Sequence, residues 1–299
     1  MAVAYASSGL IASAAAQTVA PAYPASIATG DGLVLVRTAK PDTAALTTPS
    51  GWTLVNTQSG GVGVFGNDTG PLIVATYFKT ATGTETGTLT CDSTPATVDV
   101  QQSIIVRYTK GSGAWDVAGT GGVDTTASTD WSVAAGSDPG ITSGDVVQVA
   151  LCYPTDSART WSSETLTATG ATISALTVPI ASTTTSLGAD MTTRLHNFAC
   201  SAGTASVAPV YAGTVNSAIN VAGPTSMIRL REVTSGVDGT LAAGLPSVGA
   251  ALAGAVTAAG TITATLPSSV VTLSSGGRTV ARPNTGIVVR PDTGIVPRP

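Results

Sequence analysis

Side chains able to carry catalysis are sparse in this chain of 299 residues. It has one histidine, His196, and three glutamates, Glu85, Glu164 and Glu232. A Ser-His-Asp hydrolase would need His196 as its base, yet the chain contains no G-x-S-x-G nucleophile elbow. Because His196 lies in the predicted strand 194–198, a structural role is the favoured interpretation, and a hydrolase is the least favoured function.

The aspartates are expected in turns, where their side chains bond to nearby backbone groups. A glycosidase needs two facing carboxylates, but Asp68, Asp92, Asp116 and Asp124 all stand in turn-like contexts. Asp124 and Asp130 could contribute to a calcium site, but the D-x-[DN]-x-[DN]-G spacing is missing. The G-x-x-x-x-G-K-[ST] phosphate loop is missing as well. The sequence therefore predicts no enzyme, no metal site and no cofactor.

The cysteines are three, Cys91, Cys152 and Cys200, with no C-x-x-C pair among them. An odd number without that spacing excludes an ordinary Cys/His zinc site. Free cysteine is among the most buried residue types. Buried free thiols are therefore favoured over a disulfide.

The tryptophans divide into one predicted core residue and two candidate ligand contacts. Trp52, in Ser-Gly-Trp-Thr-Leu, is expected to anchor the end of a core. Trp115 and Trp131 lie in stretches rich in Gly and Asp, which predict loops. An exposed indole in such a loop could stack on a sugar, so these two residues are the candidate ligand contacts.

The low charge of the chain limits its partners. Only 10% of residues are charged, and the net charge is −4. That balance gives no basic footprint for nucleic acid, and no basic amphipathic segment indicates membrane binding. No window of ~20 apolar residues predicts a membrane span. Residues 1–26 lack the basic start of a signal peptide and are expected to form a first strand and linker that stay in the mature protein.

Residues 27–233 are predicted to form the body. Residues 27–36, Ile-Ala-Thr-Gly-Asp-Gly-Leu-Val-Leu-Val, combine a turn with a short apolar run typical of a buried strand. A similar phrase returns 114 residues later at 141–151. Weaker echoes link 77–84 to 197–204 and 103–107 to 226–230, at steps of 120 and 123. These echoes favour a duplication, with half-repeats at about 27–115 and 141–233.

Short strands separated by Gly-rich turns predict an all-β fold, an antiparallel β-sandwich of jelly-roll type. The two halves could form two small sandwiches or one sandwich of about eight strands or more. One sandwich is favoured, because no charged or Pro-rich linker separates the halves.

Residues 234–299 are predicted to form an extended, low-complexity C-terminal arm. Gly-Thr-Leu-Ala-Ala-Gly-Leu-Pro-Ser at 239–247 returns in varied form 21 residues later, and Arg-Pro-Asn-Thr-Gly-Ile-Val at 282–288 returns 8 residues later. Units this small cannot bury a core alone, and their prolines exclude central strands. The segment is either a disordered tail or an arm that contacts a neighbouring subunit through Leu245, Pro246, Leu266, Pro267, Ile287 and Ile295.

Two motifs carry a resemblance. P-x-x-I-x-x-G-D-x-L-V at 24–34, followed by P-S-G-W-T-L at 49–54, resembles a group of bacteriophage virion proteins. The repeat at 239–268 is similar to low-complexity segments in minor tail proteins of phages that infect actinobacteria. Ten arginines against three lysines, with abundant Ala and Gly, suit a high-GC genome.

The resemblance implies a structural component of the virion, assembled in the host cytoplasm: a minor tail, fibre or capsid-decoration protein. It carries over no catalytic residue. The expected partners are copies of the chain itself and other virion proteins. A trimer is expected by analogy with the way fibres are usually built. The alternative is a carbohydrate-binding module for host attachment.

Overall fold

The computed structural model describes residues 3–61, 66, 69–94, 98–126, 128–155, 160–176, 181–185, 190–219, 223–234, 273–275 and 278–280. These residues form strands, turns and loops but no helix, which confirms the predicted all-β class. The chain divides into two compact units, Met1–Val237 and Asp238–Pro299.

The first half of the larger unit is one sandwich of two antiparallel sheets. Its strands are β1 (Ala4–Ser8), β2 (Ala12–Ala14), β3 (Thr18–Val19), β4 (Gly32–Lys40), β5 (Ala45–Leu46), β6 (Thr53–Gly60), β7 (Leu72–Thr80), β8 (Cys91–Thr94) and β9 (Val100–Thr109). The large sheet has the order β1-β9-β4-β7-β6, with β2 also paired to β9, and the small sheet has the order β3-β8-β5. The segment expected as a first strand and linker thus supplies three strands of this sandwich.

The second half is a sandwich with the same connections. Its strands are β10 (Ala114–Val123), β11 (Ser128–Ala134), β12 (Val146–Tyr153), β13 (Trp161–Thr167), β14 (Ala171–Ala175), β15 (Ala181–Thr185), β16 (Met191–Gly203), β17 (Val210–Ile219) and β18 (Pro224–Val233). The large sheet has the order β10-β18-β12-β16-β14, with β15 also paired to β16, and the small sheet has the order β11-β17-β13. In both halves the first strand pairs with the last. The centre of the large sheet is β4 in the first half and β12 in the second.

The two Gly-Asp phrases open the central strands, β4 and β12. Every residue of these two strands is buried, which confirms the prediction of buried strands. Asp31 accepts a hydrogen bond from the Ala28 amide at 2.8 Å, and Asp145 accepts one from the Thr142 amide at 2.7 Å. The same side-chain bond therefore shapes the turn before each central strand.

Strand pairing aligns the other echoes slightly differently from the sequence. The central strands match at the step of 114, since Leu33 and Val147 take equivalent places. Their partners on β7 and β16 are Lys79 and Phe198, and their partners on β9 and β18 are Arg107 and Arg229. The structural steps are thus 119 and 122 residues, so the predicted steps of 120 and 123 are each one residue too long.

The described part of the larger unit has three large apolar cores and a small fourth cluster of Ala39, Ala44 and Val98, and its sheets stack in four layers. One core fills the first sandwich and includes Trp52, which confirms the prediction that Trp52 is a core anchor. A second core fills the second sandwich. The third lies between the two large sheets and includes Val34, Val36, Val146 and Ala150. The preference for one sandwich is therefore wrong: two sandwiches pack back to back.

Hydrogen bonds also cross between the two large sheets. The Thr38 and Thr193 hydroxyls are 2.8 Å apart, and the Tyr108 hydroxyl donates to Asn197 Oδ1 at 2.7 Å. These buried polar pairs fix the position of one sheet on the other more specifically than apolar contact alone.

Glycines bring β10 close to β6. A Cβ added at Gly119 would lie 2.8 Å from the Asn56 Cβ and 2.9 Å from the Val55 Cγ1. A Cβ at Gly121 would lie 3.0 Å from the Asn56 Nδ2 and 3.1 Å from the Gln58 Cβ. The side chains of β10 must be absent at these positions for the two sheets to reach this spacing.

The smaller unit contributes one described hairpin, β19 (Leu273–Ser275) and β20 (Arg278–Val280).

Gly119→Ala is expected to destabilise the body by about 2 kcal/mol, because the new methyl group overpacks the contact between the large sheets. Urea unfolding of both proteins measures the change. Gly136→Ala is the matched control, since its Cβ would meet only the Gly121 carbonyl oxygen at 3.6 Å. Equal stability of the two variants would contradict the close packing of β6 and β10.

Candidate functional site

Trp115 lies on strand β10, not in a loop, and it joins the two sandwiches. Its indole Nε1 donates to the Gly30 carbonyl oxygen at 2.8 Å. Its ring lies edge-on to Phe78, with centroids 5.6 Å apart. A Cβ at Gly32 would be only 2.8 Å from the ring, so the indole sits directly on the Gly32 backbone. Trp115 on β10 therefore packs the second sandwich against β7 and the turn before β4 of the first.

The outer side of Trp115 lines a groove between β6 and β10, which we call the Trp115 groove. Its volume is about 310 Å³, and its lining residues are Thr53, Leu54, Val55, Phe78, Trp115, Val117, Ala118 and Gly119. Leu54 is 46% exposed there, and the Lys110 Nζ lies 5.3 Å from the indole centroid. Such a surface suits an apolar face next to a hydrogen-bonding rim, as on a sugar ring or an extended peptide.

Trp131 lies on β11 and is only 2% exposed, so the expectation of a loop contact is wrong. Its ring packs against Tyr211 and Trp161, with centroid distances of 4.2 and 5.7 Å. Trp131 and Val133 point inward on a strand of alternating burial, and the polar neighbours that suggested a loop point outward. Trp115 and Trp131 therefore do not share a site.

The six arm residues predicted to contact a partner lie outside the described residues. They are Leu245, Pro246, Leu266, Pro267, Ile287 and Ile295.

A second cluster lies inside the second sandwich and is centred on Glu164. The pairing of β13 with β17 shifts between Ser162 and Thr165, and Ser163 has a φ of 54°. A bulge of this kind re-aims a side chain, and here Glu164 is only 7% exposed. The sequence alternation of Arg194 and His196 could have placed those two on one face of β16, but nothing in the sequence pointed to Glu164 as their partner.

Three side chains surround the Glu164 carboxylate. The Tyr211 hydroxyl donates to Oε1 at 2.6 Å, and Arg194 Nε donates to the same oxygen at 3.1 Å. Arg194 also pairs with Oε2, and His196 Nδ1 lies 3.5 Å from Oε1. The carboxylate thus closes a buried network between the small and large sheets.

The network makes Glu164 a poor base. Burial alone would raise the pKa of Glu164, but the nearby His196 and the hydrogen bonds from Arg194 and Tyr211 outweigh it and lower the pKa to about 2. Burial, followed by the Glu164 charge, holds the pKa of Tyr211 well above its ordinary value. Neither group is poised to exchange a proton near neutral pH, so the arrangement serves packing better than proton transfer.

The aspartates considered as ligands or acids have structural partners where they are described. Asp116 forms two hydrogen bonds with Arg229, at 2.7 and 2.8 Å. Asp124 accepts from the Thr126 and Ser132 amides at 2.8 and 3.0 Å, and Asp130 accepts from the Thr214 hydroxyl at 3.0 Å.

The other two aspartates considered in the sequence are Asp92 and Asp68. Asp92 accepts from the Thr18 hydroxyl at 2.8 Å, while Asp68 lies outside the described residues. Within the described ranges, no group of three or more His, Cys, Asp or Glu side chains is arranged to hold a metal ion.

The three cysteines are free and buried, as predicted. Burial raises the pKa of the Cys91 thiol to about 11 and that of Cys152 well above its ordinary value. Thiols with these pKa values are protonated near neutral pH and are therefore weak nucleophiles.

No protein-family model, curated protein or solved structure matches the chain. Among the residues that the structure describes, no helix has the length and apolarity needed to cross a membrane.

Glu164→Gln is expected to lower the stability of the protein at neutral pH by about 3 kcal/mol, because Arg194 would keep a buried charge without a counter-ion. The pKa of Glu164 is about 2 in the folded state and 4.5 ordinarily, so the unfolded state binds the proton more readily. The stabilisation is therefore full above pH 4.5 and is lost as the pH falls towards 2.

Urea unfolding at a series of pH values tests this. The wild type should lose more stability than Glu164→Gln between pH 4.5 and 2. Asp130→Asn is the control, because it changes an exposed acid and leaves the Glu164 network intact. Parallel pH curves for wild type and Glu164→Gln would refute the buried ion pair.

Proposed function

We propose that this protein is a non-enzymatic structural component of a bacteriophage virion, of the minor tail, fibre or capsid-decoration type. The observation that carries the proposal is that charged side chains form ion pairs that stabilise the fold. Arg107 pairs with Asp31 at 2.6 Å, and Arg231 pairs with Asp145 at 2.7 Å. Together with the Glu164 network, these pairs hold sheets and turns in place, which suits a rigid structural component.

The proposal includes an internal duplication of a jelly-roll-like module. A jelly roll distributes its strands over two sheets by Greek-key connections. Its support is the identical pairing order of the two halves and the matched aspartate turns. Two modules fused back to back would give one thick block from a single chain.

The proposed mode of action is self-assembly and docking to other virion proteins. β6 and β10 are the outer strands of their large sheets, and each pairs with a single neighbour among the described strands, so each is a candidate edge for β-augmentation. The 234–299 segment, which the sequence predicts to be an arm, is the proposed exchange element between subunits. A surface with few charges favours close packing in an assembly.

A second candidate function is binding of host cell-surface carbohydrate, favoured by the Trp115 groove. Trp115, Phe78 and Leu54 present an apolar surface large enough for a sugar ring. Saturable binding of purified cell-wall polysaccharide that is lost in Trp115→Phe but retained in Leu10→Ala, which changes an exposed leucine outside the groove, would favour this candidate over a purely structural role.

The virion proposal predicts that the full-length protein is an oligomer and that a version ending at Val233 is a monomer. The shortened protein keeps all three cores and should give an unchanged far-UV circular dichroism spectrum per residue of the body. Light scattering gives both masses. If both proteins are compact monomers, the segment after Val233 is not an assembly device and self-assembly through it is excluded.

A further inference from the structure

The contact between the two large sheets keeps its geometry when the two sandwiches are exchanged. Strand pairing makes β16 the counterpart of β7 and β18 the counterpart of β9. Across the contact, the Thr76 hydroxyl of β7 lies 3.0 Å from the Ser226 hydroxyl of β18. Tyr108 of β9 donates to Asn197 of β16. Exchanging each strand for its counterpart turns the facing pair β7 and β18 into the facing pair β16 and β9. The two large sheets are therefore related by a two-fold axis, as in a symmetric dimer.

The hydrogen bond between Tyr108 and Asn197 has no polar counterpart on the other side of this axis. The counterpart of Tyr108 is Leu230, at the step of 122 residues, and the counterpart of Asn197 is Phe78, at the step of 119. Leu230 belongs to the core between the large sheets, and Phe78 packs against that core. A hydroxyl and an amide on one side of the axis thus correspond to two apolar side chains on the other.

The paired hydroxyls of Thr38 and Thr193 differ from their counterparts in the same way. At the steps of 114 and 119 residues, these counterparts are Cys152 and Val74. Both belong to the core between the large sheets. The Cys152 thiol lies 4.0 Å from the Ile73 carbonyl oxygen, beside Val74, so the exchanged contact is present. Its side chains again lack the hydroxyl pair.

The fit of Trp115 also depends on which sandwich faces it. The indole lies against Gly32 of the first sandwich, where an added Cβ would be only 2.8 Å from the ring. The counterpart of Gly32 in the second sandwich is Val146. The branched side chain of a valine would occupy the space that the indole needs.

We propose that the contact between the large sheets is an interface that admits only the mixed pair, one first sandwich with one second sandwich. A pair of first sandwiches would place Tyr108 opposite Phe78, so the buried hydroxyl would lose its amide partner. It would also place Thr38 opposite Val74 and remove a second buried hydrogen bond. A buried polar group without a partner bears the full cost of its desolvation, which disfavours this pair.

A pair of second sandwiches is disfavoured for two reasons. Asn197 would lie opposite Leu230, so its side-chain oxygen would lose the hydroxyl that donates to it. Trp115 would meet Val146 where it now meets Gly32. The partner that fits each large sheet is therefore a sandwich of the other kind. This inference rests on the internal duplication proposed above and not on the virion assignment.

Exchanging the two sides in the full-length protein tests the proposal. The first set of changes, Asn197→Phe with Thr193→Val, gives the second sandwich the side chains of the first on one side of the axis. The second set, Tyr108→Leu with Thr38→Cys, gives the first sandwich the side chains of the second. Each set alone breaks two buried hydrogen bonds and should raise the unfolding equilibrium constant about a hundredfold.

The two sets combined recreate the apolar contacts of the other side, so the unfolding equilibrium constant should return to within about tenfold of the wild-type value. Urea unfolding of the four proteins measures this recovery. A combined variant no more stable than either set alone would overturn the proposal. Tyr108→Leu with Asp130→Asn is the control, because Asp130 is exposed on β11 and its effect should simply add to that of Tyr108→Leu.

A smaller cycle isolates one hydrogen bond. Tyr108→Leu and Asn197→Phe should each raise the unfolding equilibrium constant about tenfold, and the double variant should stay within about threefold of the wild type. Strictly additive losses would also overturn the proposal. Both cycles follow the unfolding of the body, so a negative result would leave the predicted masses of the virion proposal untouched.

Discussion

The apolar contact between the two large sheets is the constraint on which the rest of the structure depends. A sheet of a free-standing sandwich buries one face and shows the other to water. Here each large sheet buries both faces, one inside its own sandwich and one against the other large sheet. The central strands β4 and β12 are therefore mostly apolar, and all their residues are buried.

That constraint explains where polar groups occur. The polar side chains between the large sheets include the paired hydroxyls of Thr38 and Thr193 and the buried Gln148, whose amide atoms have no hydrogen-bond partner among the described residues. A buried charge without a partner would cost several kcal/mol or more. The chain meets this cost with ion pairs and, at the fully buried Arg37, with hydrogen bonds to the Thr47 and Asp92 carbonyl oxygens and to Gln101 Oε1. Asp31, Asp145 and Glu164 each hold an arginine close to the end or flank of a sandwich. Low overall charge and paired internal charge are thus two aspects of one architecture.

Local patterns in the sequence were sufficient to predict the two central strands, β4 and β12, and the turns before them. The Gly-Asp phrases predicted both buried central strands, because turn chemistry and apolar run length act within about ten residues. Trp52 was predicted as a core residue for the same reason. Trp131 was misplaced because its polar neighbours suggested a loop, while alternation on a strand sends those neighbours outward and the indole inward.

Features that depend on distant segments could not be predicted. The Glu164 network joins strands 30 and 47 residues apart in sequence and needs a bulge that no short motif marks. The back-to-back contact was missed because strands that bury both faces look like ordinary buried strands in a single sandwich. The predicted steps of 120 and 123 residues were each one residue too long, because similar residues need not take equivalent hydrogen-bonded positions.

Scanning calorimetry of the version ending at Val233 tests the central claim most directly. If the core between the two large sheets joins the sandwiches, they unfold together. We expect one transition whose calorimetric and van't Hoff enthalpies agree, and Gly119→Ala should move that transition as a whole. Two separate transitions, or a shift confined to one of them, would show that the sandwiches are independent domains and would contradict the account.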